Sequence, residues 1–230
     1  MSVALLERAA AELGPLVDEV VFIGAAVLPL LLTDPAAPVP RATVDVDLAL
    51  AVRTRRELRA FERRLESAGF APDAASGVIC RWRGASGLVV DAIPAEPSVL
   101  GFGSPWLAAA VAAPDPRRLP GGATIRVISA VLFLAAKLDA FADRGAGDHL
   151  GSRDFADAVA LIDGRPQLVE EVSGAEPALR SHLALHARAL LADADARQGL
   201  HGALAPDAAS QARVDRVIVP ALERVAASAP

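Results

Sequence analysis

The chain has 230 residues, 53% of them hydrophobic, and a formal net charge of −5. That length buries a substantial core, and a pI near 5.4 excludes a surface coated in basic charge while leaving room for a local basic groove. Cys80 is the one cysteine, which excludes an internal disulfide and a cysteine metal cluster; with no signal peptide, a reducing cytoplasm is the expectation.

Taken in chain order, Val3 to Leu13 has helical spacing, stopped by Gly14-Pro15. "EVVFIG" (Glu19 to Gly24) is an expected buried strand ending at a glycine. The small residues Ala25 and Ala26 follow, then a short apolar helix broken near Pro29. The longest apolar run, Val20 to Leu32, holds 13 residues, too few to span a bilayer, so no membrane partner is expected. "TDPAAPVPR" is a loop on its prolines and turn formers. After the strand "RATVDVDLAL" comes the amphipathic helix "TRRELRAFERRLESAG", with Leu58, Phe61 and Leu65 on its apolar face and Gly69 at its end. "GVICRWRG" and "LVVDAIP" read as a hairpin around Gly84 to Gly87, and "TIRVI" adds a strand. From Ser129 the pattern is helical, with breaks near 145–151, 164–166, 174–177 and 199–206. The expected fold is α+β: a mixed β-sheet core flanked by helices over residues 1–128, then a helical C-terminal part over 129–230.

Within "RATVDVDLAL", Val44, Val46, Leu48 and Leu50 alternate with Asp45, Asp47 and Ala49. A period of two puts both aspartates on one face, about 7 Å apart, where they repel. A sheet rarely accepts that without a cation. Asp91 stands in a second apolar strand, and if the two strands are neighbours, three carboxylates converge. Hard divalent cations such as Mg²⁺ take such oxygen ligands and keep positions for water and substrate phosphates. The plain alternative is a solvated edge of an exposed sheet face.

The pieces "FIGAA", "RATVDVDLAL" and "LVVDAIP" resemble the nucleotidyltransferase superfamily that includes DNA polymerase β, with its glycine, D-x-D and distal third aspartate. "SAVLFLAAKLDAFADRG" and "GSRDFADAVALI" look like the AbiEii/AbiGii type of nucleotidyltransferase toxin, in which a Lys-Leu helix is followed by an Arg-Asp helix start. The resemblance covers roughly residues 19 to 165. It implies a catalytic set of Asp45, Asp47, Asp91, Lys137 and Asp154. Asp45, Asp47 and Asp91 are the implied Mg²⁺ (or Mn²⁺) ligands, and Gly24, Ala25, Arg41 and Thr43 the implied nucleotide contacts. Ala25 stands where many relatives carry Gly or Ser, so no hydroxyl is offered to the phosphates there. A nucleoside triphosphate as substrate, tRNA or another RNA as acceptor, and a cognate antitoxin are implied partners.

Lys137 also stands out by composition, being the one lysine among 22 arginines. Its helix neighbours include Phe133, Leu134 and Phe141, and an ammonium held among them needs an anionic partner. A lysine snorkelling into water is the alternative. Ser152 reads as an N-cap with Asp154 in the first turn, which accounts for Asp154 by the helix dipole without catalysis; Asp157 is expected to point outward. Arg53, Arg55, Arg56, Arg59, Arg63 and Arg64 share a helix with Glu57, Glu62 and Glu66, part of it a salt-bridged surface. The first three follow the Asp strand, where a nucleic-acid backbone would approach. His182 and His186 are spaced i, i+4, but no third ligand is legible beside them, so zinc is not expected there. The alternatives to RNA transfer are nucleotide transfer to a small hydroxylated molecule such as an aminoglycoside, and an inactive nucleotidyltransferase-like binding module.

Overall fold

The computed structural model of the chain describes residues 2–145 and 147–229. The chain divides into two compact units, Met1–Leu30 with Arg41–Ser129, and Leu31–Pro40 with Ala130–Pro230.

In the first unit, α1 (Ser2–Leu13) buries Leu5, Leu6, Ala9, Ala10 and Leu13, a stripe at helical spacing. Gly14-Pro15 ends it, but the chain continues as a 3₁₀ helix to Glu19, because Pro15 supplies a helical φ and needs no N–H in a first turn. The fully buried β1 (Val20–Ile23) runs into Gly24 and a 3₁₀ turn over Ala25–Val27. Pro29 does not break the short α2 (Leu28–Leu31); it sits in the first turn, where its missing N–H costs nothing.

The strand β2 (Asp45–Leu50) leads to α3 (Arg55–Ser67), whose Thr54 and Glu57 form a reciprocal capping box and whose Leu58, Phe61 and Leu65 are buried. Then come β3 (Ala71–Pro72), β4 (Arg81–Arg83), β5 (Val89–Pro94), α4 (Leu107–Ala112), β6 (Asp115–Arg118) and β7 (Thr124–Val127). They form one seven-stranded sheet in the order β3-β4-β5-β2-β1-β7-β6. The β2–β5 and β1–β7 pairs are parallel and the others antiparallel, so the sheet is mixed as expected. The β4–β5 hairpin turns over Gly84 to Gly87, with Gly84 N donating to Leu88 O at 2.8 Å. Strand β6 was not legible: "DPRR" has no apolar alternation, and it pairs only at the sheet edge, where Pro116 is tolerated. Val44, expected on the buried face, is 80% exposed, because the strand begins one residue later.

The second unit is helical: α5 (Ala130–Arg144), α6 (Arg153–Gly164), α7 (Leu168–Ser173), α8 (Pro177–Ala192), α9 (Ala194–Gly202), α10 (Ala208–Arg213) and α11 (Val219–Ala227). A π-helical turn over Val214–Ile218 joins the last two. The proline-rich segment packs here through Thr33 N and Asp34 N, which donate to Gly164 O at 2.8 and 3.0 Å, and through the Arg213–Asp34 ion pair at 2.7 Å. Gly199 does not break a helix. It lies inside α9, where a Cβ would stand 2.3 Å from the Cβ of His149.

Candidate active site

The register of the sheet gathers the three strand aspartates. Asp47 pairs with Asp91 across parallel β2 and β5, Arg81 pairs with Asp91 across β4 and β5, and Ile23 pairs with Asp47 across β1. One row across four strands therefore reads Arg81, Asp91, Asp47, Ile23, with Gly24 next along the chain and Asp45 two residues from Asp47 on the same face. Neighbouring strands lie about 4.8 Å apart, so these carboxylates repel strongly unless countered.

The counter-ion is Arg81. Its Nε and Nη2 donate to the two oxygens of Asp91 at 2.8 and 2.7 Å, and Nη2 also donates to Asp45 Oδ2 at 2.9 Å. This two-pronged geometry raises the guanidinium further above its ordinary range, with the Asp91 hydrogen bonds as the largest cause. Arg81 is the cation that the repelling carboxylates call for, and the spacing of the aspartates alone does not point to it. Counting outward from the Gly84–Gly87 turn puts Arg81 opposite Asp91, so hairpin register was the available signal. Thr43 Oγ1 donates to the other oxygen of Asp45 at 2.7 Å. Arg41 is half-buried and Ala25 is buried. Cys80 is buried beside this row, and its thiol is pushed up to about 12, first by burial and then by the Asp91 charge.

Gly24 has a specific reason to be glycine. Its φ of 72° and ψ of −171° lie in a region closed to other residues, and a Cβ there would stand 1.8 Å from Asp47 Oδ2. The carboxylate fills the place of the missing side chain. Three hard oxygen donors from Asp45, Asp47 and Asp91, together with a backbone bare of side chain at Gly24, form a donor set suited to Mg²⁺ or Mn²⁺.

A second ionic cluster lies within the helical unit. Lys137 of α5 places Nζ 2.7 Å from Asp157 Oδ2 and 3.0 Å from Asp154 Oδ1, both on α6. Arg144 Nε donates to the other oxygen of Asp154 at 2.8 Å. Lys137 does not snorkel into water: its side chain is 12% exposed. Nor is Asp157 an outward solvated charge; it is the most buried member, at 1%. Asp154 and Asp157 stand three apart, so one helix face presents both to the ammonium. Burial pulls the Lys137 ammonium down, but the two carboxylates outweigh it and hold it above its ordinary value. Asp154 is held below the ordinary carboxylate range, burial being outweighed by Arg144 and Lys137. Ser152 caps α6 as expected, its hydroxyl accepting from Phe155 N at 3.3 Å, and Arg153 is exposed.

The arginines of α3 are placed differently from the expectation. Asp45 opens β2 and Leu50 closes it, about 17 Å on. Arg64 of α3 pairs with Glu19, whose neighbour Val20 is the register partner of Leu50. Arg64 therefore lies by the end of β2 remote from Asp45.

A family model described as "Nucleotidyl transferase AbiEii toxin, Type IV TA system" matches residues 4–224. No curated protein shows a significant match. Among the described residues, no helix is long and apolar enough to cross a membrane.

Proposed function

The chain belongs to the AbiEii nucleotidyl transferase toxin family of type IV toxin–antitoxin systems, and from that premise we propose that it transfers a nucleoside monophosphate from a nucleoside triphosphate to the 3′ hydroxyl of an RNA, with tRNA the class the family resemblance implies. The observation that carries the reading is the row Arg81, Asp91, Asp47, Ile23 with Gly24 beside it.

In this proposal Asp45, Asp47 and Asp91 hold Mg²⁺ or Mn²⁺, which when bound neutralises phosphate charge. Gly24 lets the backbone approach the phosphates without a side chain in the way. In the same proposal Asp91, held by Arg81, helps to deprotonate the acceptor hydroxyl. Thr43 orients Asp45 through its hydrogen bond, and Arg41 and Ala25 line the nucleotide side. Lys137 keeps the catalytic role that the family resemblance implies, with Asp154 orienting its ammonium. Support for Lys137 is internal to its unit: a compact, desolvated cation fixed between two carboxylates is held in one geometry. The cellular setting is the cytoplasm, with an antitoxin restraining the toxin.

Expression in a bacterial host tests the reading. The wild-type chain slows growth and Asp47→Asn does not. Equal growth of the two strains at equal protein level contradicts the toxin assignment.

A further inference from the structure

The helical unit brings together three side chains that the transfer chemistry does not use. His182 and His186 lie one turn apart on α8, and Asp139 of α5 faces them. Asp139 Oδ1 is 2.7 Å from His182 Nε2 and 3.5 Å from His186 Nε2, and the imidazole rings meet edge to face with centroids 4.6 Å apart. One ligand atom from each of the three lies within 4.8 Å of the others. The histidine spacing alone lacked a third ligand; the packing of α5 against α8 supplies it from 43 residues upstream of His182.

We propose that Asp139, His182 and His186 form a binding site for a borderline divalent transition cation, Zn²⁺ being the best match. The ligand chemistry supports this. Two neutral imidazoles and one carboxylate suit Zn²⁺, Co²⁺ or Ni²⁺, whereas Mg²⁺ prefers all-oxygen surroundings. Bond lengths of about 2.0–2.2 Å to nitrogen and oxygen put tetrahedral ligand atoms roughly 3.4 Å apart, a spacing that small ring rotations reach from the observed one. All three side chains are 22–27% exposed, which leaves a path for the ion and room for water as the remaining ligands. Asp139 stands two residues beyond Lys137 on α5, so it points to a different side of the helix from the Lys137–Asp154–Asp157 cluster. The cation would join α5 to α8, which pack against each other.

The test uses the full chain, stripped with EDTA and then held in excess Mg²⁺ to saturate the strand carboxylates. Calorimetric titration with Zn²⁺ gives one equivalent per chain, and Co²⁺ in its place gives the visible ligand-field bands of a nitrogen-ligated ion. His182→Ala, His186→Gln and Asp139→Asn each weaken Zn²⁺ binding by at least about 100-fold, the upper end of the 10- to 100-fold typical of losing a group that only supports a ligand. His201→Gln, a histidine elsewhere in the unit, binds as wild type does. Zn²⁺ raises the unfolding midpoint of the wild type and of His201→Gln, and not that of the three ligand variants. Circular dichroism of His186→Gln and Asp139→Asn verifies that they fold, so that a variant lost to misfolding does not decide the outcome. Equal Zn²⁺ uptake by folded wild-type and ligand-variant chains, or no saturable equivalent in the wild type, overturns the site.

Discussion

At the scale of single residues, Lys137 and Asp157 make the sharpest predictions, because each is buried against the other. Lys137→Ala leaves Asp157 without its closest cation, and breaking such a pair from one side costs about 3–5 kcal/mol. The double variant Lys137→Met with Asp157→Leu removes both charges and recovers most of that stability in urea unfolding, yet stays inactive in nucleotide transfer. Recovery of activity along with stability would make the lysine structural alone. Lys137→Arg keeps the charge but brings a longer, forked group into a closed space, so it loses stability as well as at least about tenfold in rate. In the strand cluster, Arg81→Gln leaves Asp45 and Asp91 without their counter-ion. Millimolar Mg²⁺ therefore raises the urea midpoint of Arg81→Gln more than that of the wild type; no rise in either protein would show that these carboxylates take no divalent cation. Cys80, with its thiol near 12, resists alkylation at pH 8 in the native chain and reacts only on unfolding.

At the scale of elements, the turn from β1 into the 3₁₀ segment and the N-terminus of α6 each carry a test. Gly24→Ala forces a Cβ into the Asp47 carboxylate and costs about 1–3 kcal/mol for the backbone conformation alone; it also loses transfer activity, which a merely permissive turn would not. For Asp154 the folded-state value is depressed. Its ion pairs thus stabilise α6 above the unfolded carboxylate range, and the contribution is lost as pH falls through the folded value. The stability difference between wild type and Asp154→Asn is full at neutral pH and about 5, and it shrinks below pH about 4. Much of this architecture was legible in the sequence because it rests on local signals: alternation in β2 and β5, the glycines of the β4–β5 hairpin, and the apolar stripe of α3. Pairing across long separations was not. Asp157 looked outward because its partner lies on another helix, Arg81 looked like one arginine among 22, and Asp139 carried no sign of the histidines that it meets. Strand β6 escaped because its edge position asks for no apolar face.

For the whole molecule, the chain joins a sheet bearing three carboxylates and one counter-ion to a helical unit bearing a buried lysine, and its family is that of nucleotidyl transferase toxins. The net charge of −5 does not favour binding of nucleic acid, and Arg64 of α3 is paired with Glu19. With RNA as the proposed acceptor, binding would rest on local contacts, and the salt dependence of transfer is expected to be shallow. Metal-dependent nucleotide transfer at the row of strand aspartates is the activity proposed for the chain. It is tested most directly by incubating the purified chain with each nucleoside triphosphate labelled at the α-phosphate, Mg²⁺ and total RNA, and following the label. Label is expected in RNA with the wild type, and none with Asp47→Asn or with EDTA. Label appearing equally with Asp47→Asn, or no transfer to RNA by a folded wild-type chain with any of the four triphosphates, would contradict it.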